Sequence, residues 1–319
     1  MAYQAGDTIL DDEYNTFVNS GSSPFGLNHF AGTGALNYGL GESAVATVNA
    51  GETINASSWN TLFTGMATIG AHTADTLTSR SAVSAGDTIA IKAAVAADLV
   101  TLAASVAAGS PNTTALTTSG ILQQPASSST WTGSFTTQVS ATFTNANTMR
   151  YFFNAGGKLR IDPIRTGNGG SDGASGKDGA WDNLYNAVGN LDIASQATTR
   201  SGSGETLDTN GLSIGFYDLT TSYQTLLQLS DDSYPYTANN IKIEAKLDAA
   251  PGSSTVMTFQ ITATDGSGEF TFNDASADNN AYRNGTHEHR LYSINTTTGG
   301  GLANAYSPST TNTVSNSTT

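Results

Sequence analysis

Apolar side chains recur at two different spacings along the chain, and the spacing changes near residue 131. Before that point they follow the i, i+3, i+4, i+7 pattern of amphipathic helices, as at Trp59, Leu62, Phe63 and Met66. After it, apolar and polar residues alternate, as in half-buried strands. The pattern predicts an α+β chain that is mainly β: a small helical or mixed region, then an antiparallel β-sandwich-like domain with short helices.

A five-residue phrase, Ala-Gly-acid-Thr-Ile, introduces each of the first helical stretches. It occurs at residues 5–9, 50–54 and 85–89. Its glycine is expected to turn the chain, and Asp11 or Asn55 to cap the helix that follows. The first two copies continue as Tyr-Asn-Thr-Phe and Trp-Asn-Thr-Leu, whereas the third has Ala94 in the aromatic position. A repeated unit of this kind indicates a structural scaffold. Two equivalent packing elements and one longer Ala-rich helix are therefore predicted.

The second half of the chain is predicted to alternate strands with short helices. Strands are predicted at 131–143, 158–165, 191–193, 214–218, 241–247 and 257–263. Helices are predicted at 145–154, 181–188 and around 223–227. Pro163 indicates an edge or the end of a strand, and Pro251-Gly252 is the predicted turn of a hairpin. The corresponding domain boundaries are 1–109 for a docking region, 110–130 for a Ser/Thr/Pro-rich linker, 131–295 for the β-rich domain and 296–319 for a polar tail.

Composition narrows the function classes. Only 12% of residues are charged, and the net charge of −14 is spread along the chain, so no basic face for nucleic acid is expected. The absence of cysteine excludes disulfides and thiolate metal sites. No apolar run approaches the roughly 18 residues of a membrane helix, and the N-terminus lacks the features of a signal peptide. We expect synthesis in the cytoplasm and no membrane partner.

Three phrases carry a resemblance to a known family. They are FTNANTMRYFFNAGGKLRI (143–161), AWDNLYNAVGNLDI (180–193) and SIGFYDLTTSYQTLLQLS (213–230), in that order. Together with the DDEYN and INASSWN segments near the N-terminus, they resemble a family of virion structural proteins of tailed phages, most familiar from phages of cyanobacteria and other marine bacteria. The most specific part is Tyr151–Gly157. The resemblance covers about four-fifths of the chain and leaves the C-terminal tail outside.

The resemblance implies a structural component of a phage particle, in the tail, baseplate or fibre attachment. A place in the neck or as a capsid decoration protein stays open. Other virion proteins would be its partners, and the chain is expected to form a homo-oligomer, a trimer or a hexamer. One alternative is a host-receptor module that binds surface glycan through exposed aromatic residues such as Tyr234, Tyr236 and Tyr282. Another is a depolymerase, although no catalytic motif is present and no enzymatic activity is expected.

His287-Glu288-His289 is the sharpest candidate for chemistry. On a strand, residues i and i+2 face the same way, so His287 and His289 could share a metal ion. Three copies in a trimer would offer six nitrogens, an octahedral set suited to a transition metal. Otherwise no cofactor is expected. The simpler alternative is two solvated histidines beside Arg290 on a loop.

Several acidic groups have structural explanations. The loop 265–278 matches no calcium-loop spacing and is expected to be a solvated turn. Asp11-Asp12-Glu13 is expected to stabilise a helix start. Asp178 and Asp182 beside Trp181 could bind sugar, but Trp181 occupies a position typical of a helix core.

Overall fold

The chain folds into two compact units. The computed structural model describes residues 11–33, 39–87, 92–107, 116–118, 126–127, 133–167, 177–267, 270–272, 276–278, 285–296 and 317–318. The first unit comprises Met1–Thr117, Arg150–Gly157 and Asn295–Ser307, and the second comprises Thr118–Met149, Lys158–Ile294 and Pro308–Thr319. The first unit thus includes a segment, Arg150–Gly157, that the sequence pattern assigned to the β-rich domain.

Four helices lie in the first unit. They are α1 (Asp11–Asn19), α2 (Leu27–Phe30), α3 (Ala56–Thr73) and α4 (Lys92–Ala107). The apolar stripes predicted for α1, α3 and α4 lie in one core, where Phe63 is partly buried. Within it the Tyr14 and Trp59 rings meet edge to face, with centroids 5.4 Å apart. The Tyr14 hydroxyl donates to the carbonyl of Ser58 at 3.1 Å, so this buried ring also has a polar partner.

The repeated phrase acts as a turn in front of a helix. Gly51 and Gly86 have φ values of +84° and +94°, a region that side-chain-bearing residues avoid. Asn55 then caps α3, because its side chain accepts a hydrogen bond from the Ser58 N–H at 3.0 Å. These observations confirm the predicted turn and cap for the second copy. The first copy, 5–9, and the end of the third, 88–89, lie outside the described residues.

The asparagine of each aromatic-Asn-Thr segment forms hydrogen bonds with the backbone just before the next copy of the phrase. Nδ2 of Asn15 donates to the Val48 carbonyl at 2.7 Å, and Oδ1 accepts from the Val48 N–H at 2.9 Å. Asn60 makes the same pair of bonds to Val83, at 3.0 and 2.9 Å. Each valine lies three residues before the glycine of the following copy. The third copy has Val95 at this position, where it is fully buried.

Helix α5 (Ala146–Asn154) confirms the helix predicted at 145–154. Its C-terminal half belongs to the first unit, where Nδ2 of Asn154 donates to the Gly39 carbonyl at 2.8 Å. The turn that ends α5 requires glycine. Gly156 has a φ of +81°, and a Cβ at Gly157 would lie 2.7 Å from the Phe152 ring. The Asn-Ala-Gly-Gly phrase is therefore a helix stop.

Antiparallel strands dominate the second unit. The strands in the described ranges are β1 (Leu116–Thr118), β2 (Ala126–Ser127), β3 (Ser134–Thr142), β4 (Lys158–Gly167), β5 (Leu191–Ile193), β6 (Thr198–Arg200), β7 (Thr206–Asn210), β8 (Gln224–Ser230), β9 (Asn240–Leu247), β10 (Val256–Thr264), β11 (Phe270–Phe272), β12 (Ser276–Asp278), β13 (Gly285–Thr296) and β14 (Ser317–Thr318). One sheet has the order β1-β13-β4-β5-β6, with β2 also on β13, and a second has β14-β3-β10-β9-β8-β7, while β11 and β12 pair in a small third sheet. The predicted α+β, mainly β, sandwich-like fold is confirmed.

Alternation along the strands sets which side chains are buried. In β9 and β10 every second residue is buried, and Met257 pairs with Leu247 in the predicted hairpin. Helix α6 (Lys177–Val188) confirms the helix predicted at 181–188, and it packs on β4. Pro163 of β4 pairs with His289 of β13, whereas β5 pairs only with residues 159–161. Pro163 therefore lies in the part of β4 that pairs with β13 and extends beyond its pairing with β5.

Two local predictions were wrong. The segment 214–218 contains a 3-10 turn, Phe216–Asp218, because the Asp218 carboxylate accepts the Gly215 N–H at 2.9 Å and closes the turn. The predicted helix at 223–227 is the start of β8. Its register shifts between Thr225 and Leu227, so Leu226 and Leu227 are both buried. At this β-bulge two neighbouring apolar residues face the same side of the strand. In the sequence, such a pair resembles the spacing of an amphipathic helix.

Candidate functional site

The two histidines of the predicted metal motif lie on β13 and face the interior of the second unit. Both side chains are on the same side of the strand, as the i, i+2 spacing predicts. Both residues are 0% exposed, so the alternative of solvated loop histidines was wrong. Phe135 of the opposite sheet packs against them, with ring centroids 5.9 Å from His287 and 6.0 Å from His289.

A buried tyrosine of α6 connects the two imidazoles. Oη of Tyr185 lies 2.9 Å from Nδ1 of His287 and 3.2 Å from Nε2 of His289. Nδ1 of His289 is hydrogen-bonded to the Thr137 hydroxyl of β3. One phenol has a single proton to donate. At least one imidazole must therefore donate to the Tyr185 oxygen.

Burial controls the ionisation of this cluster. Burial, together with a smaller effect of the neighbouring His287, lowers the pKa of His289 from 6.5 to about 3. Burial likewise raises the pKa of Tyr185 above its usual value of 10.0, against a smaller opposing effect of Arg165. His289 and Tyr185 are therefore uncharged at neutral pH, and the cluster connects β13, α6 and β3 by hydrogen bonds.

The predicted metal assignment concerns an assembled trimer, and the structure is that of one chain. Within this chain, both nitrogens of His289 and Nδ1 of His287 already have hydroxyl partners. A metal ion shared between copies would have to replace these contacts and bring the rings to the surface. Transition-metal binding at His287 and His289 stays a prediction, and the interior geometry supplies a structural use for both rings.

The other predicted site residues are distributed over separate parts of the fold. Trp181 is 0% exposed, in agreement with its core assignment. Asp182 forms an ion pair with the buried guanidinium of Arg165, so its carboxylate has a partner within the fold. Glu13, in the first turn of α1, forms an ion pair with Lys92 of α4. The side chain of Asp178 lies outside the described residues.

The aromatic side chains considered for glycan binding differ in exposure. Tyr234 is 86% exposed, whereas Tyr236 is 1% exposed, so the expectation that Tyr236 is exposed was wrong. Tyr282 lies outside the described residues, as do Glu269 and Asp274 of the acidic loop. Of the three tyrosines, Tyr234 alone is shown at a surface in the described ranges.

A cluster of three carboxylates was not predicted from the sequence. One carboxylate oxygen each from Glu205, Asp231 and Asp232 lies within 4.8 Å of the others. Glu205 immediately precedes β7, and the two aspartates immediately follow β8, its antiparallel partner. The Asp231-Asp232 pair was visible in the sequence, but its approach to Glu205 depends on the pairing of β7 with β8. No local spacing could have revealed it.

A shallow groove runs along α3 in the first unit. Its volume is about 430 Å³, and its lining residues are Glu42, Ser43, Val45, Ser57, Asn60, Thr61, Thr64, Gly65 and Thr68. The hydroxyls of Thr61, Thr64 and Thr68 donate to carbonyls one turn earlier in the helix. The side chain of Asn60 holds Val83. These polar side chains are therefore already hydrogen-bonded to carbonyls of α3 or to the backbone of Val83.

Comparison with known proteins gives no relative. No family model, curated protein or solved structure matches this chain. Among the helices in the described ranges, none has the length and apolar character needed to cross a bilayer.

Proposed function

We propose that this chain is a structural component of a tailed-phage particle, in its tail, baseplate or fibre attachment, and that it acts through oligomeric assembly. The three sequence phrases and their resemblance to phage structural proteins support the particle assignment. The physical support comes from the face of β3 and β10 that lies opposite their apolar side chains. Its side chains are half-buried or buried, polar and uncharged, although Gln260 also donates to the Glu244 carboxylate of the neighbouring β9.

This surface, the polar ladder, consists of four side-chain pairs between β3 and β10. The pairs are Ser134–Thr264, Thr136–Thr262, Gln138–Gln260 and Ser140–Thr258, with separations of 2.8–3.3 Å. The opposite faces of the same strands carry buried residues such as Val139 and Ile261. Cross-strand polar pairs rigidify a sheet face without creating a strong field. Such a face suits neutral, hydrogen-bonded contacts between subunits, and it is the observation that carries the assembly proposal.

The buried polar groups favour the same class of function. His287, His289 and Tyr185 connect elements of the second unit, and Asn15 and Asn60 connect successive repeats of the first. The side chains that suggested chemistry therefore have defined structural uses. This pattern is typical of a protein selected for a rigid, repeated shape.

Sedimentation velocity of the purified chain tests the assembly mechanism. We expect a trimer or hexamer, and we expect Gln138→Lys to shift it towards monomer. A lysine at this position retains a donor for the Gln260 carbonyl and adds one charge to the polar ladder. Thr237→Lys, at an exposed loop position, adds the same charge elsewhere and should leave assembly unchanged. A wild-type chain that is monomeric at all concentrations would contradict the mechanism.

The particle assignment has a separate test. Mass spectrometry of purified particles of the encoding phage should detect this chain at several copies per virion, and its absence from them would overturn the assignment.

Glycan binding by a fibre is the second candidate, because Tyr234 is so exposed. A large amphipathic ring at the surface is a common contact for ligands. Binding to host-surface glycans that Tyr234→Ala abolishes would favour this function. Unchanged binding or none would leave assembly as the supported function.

A further inference from the structure

The carboxylates of Glu205, Asp231 and Asp232 converge at one end of the β7–β8 pair. One oxygen from each lies within 4.8 Å of the others. Two oxygens bound to one Ca²⁺ at 2.3–2.6 Å are up to about 5 Å apart. The three oxygens are therefore close enough to enter a single calcium shell.

The buried carboxylate of Asp231 also points to a ligand at this cluster. The residue is 1% exposed, and its Oδ1 accepts the Ser233 N–H at 2.6 Å. Its Oδ2 is buried and has no hydrogen-bond partner. A buried carboxylate oxygen without a donor is costly, since desolvation of the charge is then uncompensated. A cation at the cluster would supply the missing interaction.

Protein cations do not neutralise the cluster. Within the described part of the chain, no lysine or arginine forms an ion pair with these three carboxylates. Arg200, the nearest basic residue in sequence to Glu205, donates to the carbonyls of Gly202 and Gly204. Burial raises the pKa of Glu205 and of Asp231, and neighbouring carboxylates add to both shifts. The three acids therefore repel one another in the metal-free chain.

The loop geometry fixes the carboxylates in place. Oε2 of Glu205 accepts the Asp232 N–H at 2.8 Å, which brings the two segments together. The Asp231 N–H donates to the Asn239 carbonyl at 3.0 Å and anchors the same loop. Asp232 is exposed and Glu205 is half-buried, so an ion can enter from solvent and keep water ligands.

We propose that Glu205, Asp231 and Asp232 form a Ca²⁺ site that joins the loop before β7 to the loop after β8. Oxygen-only ligands and three negative charges match the preference of this hard cation, and its flexible coordination accepts water in the remaining positions. The ion would stabilise the edge of the second sheet, where β7 is the last strand. The site does not depend on the proposed particle function.

Calcium titration of the full chain tests the site. After treatment with a chelator, isothermal titration calorimetry with CaCl₂ should give one site with a dissociation constant on the order of 0.1–1 mM, the range of weak extracellular modules. Thermal unfolding should shift to a higher temperature at about 10 mM Ca²⁺, because a ligand that binds only the folded chain stabilises it.

Matched variants separate the site from general charge effects. Glu205→Gln keeps an oxygen for the Asp232 N–H, and it should weaken Ca²⁺ binding at least tenfold while raising the melting temperature in chelator. Asp208→Asn removes one charge from β7 outside the cluster, where the Asp208 carboxylate accepts from the Ser230 hydroxyl. This variant should bind Ca²⁺ like the wild type.

Two results would overturn the proposal. One is the absence of Ca²⁺ binding and of any Ca²⁺-dependent melting shift, which would mean that a proton or water satisfies Asp231. The other is equal Ca²⁺ affinity in the wild type and Glu205→Gln, which would place the ion elsewhere.

Discussion

Mild acid should destabilise the second unit through His289. The pKa of this ring is about 3 in the folded chain, against 6.5 for an ordinary histidine, because burial disfavours the charged form. The unfolded chain therefore binds this proton more readily than the folded chain. The contribution of neutral His289 to stability is complete above pH 6.5 and decreases as the pH falls from 6.5 towards 3.

The size of the effect follows from the two pKa values. At 1.36 kcal/mol per pKa unit, the full difference corresponds to about 5 kcal/mol at pH 3 and below. At pH 5 it is about 2 kcal/mol, since the folded ring stays neutral while the unfolded ring is mostly protonated. A loss of this size matters for a domain whose total stability is of order 5–15 kcal/mol.

Urea denaturation of wild type and His289→Gln at pH 7.5 and pH 5.0 measures this contribution. Carboxylates also titrate in this range, but they are common to both proteins and cancel in the difference. At pH 7.5 the variant should be less stable because it loses the contacts to Tyr185 and Thr137. At pH 5.0 the difference should be smaller by about 2 kcal/mol, because only the wild type loses the His289 contribution.

A difference in unfolding free energy that is the same at both pH values would refute this reasoning. It would mean that the folded chain accepts a proton at His289 as easily as the unfolded chain does. His29→Gln is the matched control. Its ring stacks on Phe25 at 4.8 Å in the first unit, outside the buried cluster. This variant reports the pH dependence that comes from replacing a histidine elsewhere.

Three further substitutions test structural roles by urea or thermal denaturation. Asn60→Ala removes both bonds to Val83 and should cost about 2 kcal/mol, at roughly 1 kcal/mol for each bond, whereas a loss no larger than that of Thr61→Ala would contradict its role. Asn55→Ala removes the cap of α3 and should cost about 1 kcal/mol, with an unchanged stability arguing against the cap. Tyr185→Phe leaves the imidazole nitrogens without the phenol and should cost about 1–3 kcal/mol, and a neutral effect would show that the rings find other partners.

The apolar patterns were sufficient for most local elements. Helical spacing located α3, α4, α5 and α6, and alternation located β3, β9 and β10, because each of these elements buries one regular face. The prediction failed at β8, where a bulge buries Leu226 and Leu227 together. It also failed at 214–218, where the Asp218 side chain closes a turn. In both places a local hydrogen-bonding arrangement overrides the period.

The repeated phrase predicted the turn and the cap, but it did not predict which groups its asparagines bind. Asn15 and Asn60 stand out in the sequence as repeated residues. Their partners, Val48 and Val83, are 33 and 23 residues away and carry no mark of their role. Only the folded chain shows that each asparagine fixes the entrance to the next repeat.

The sequence by itself determined the fold class, the change from helical to alternating spacing, and the side of the strand that His287 and His289 share. Tertiary structure decided what those features do. Strand β13 pairs with β4 and packs against α6 and β3. This packing buries the two histidines against Tyr185 of α6 and Thr137 of β3. The pairing of β7 with β8 brought Glu205 to Asp231 and Asp232. The period of a strand sets which side of that strand a side chain faces. Burial and the clustering of charges arise only when elements that are distant in sequence come together.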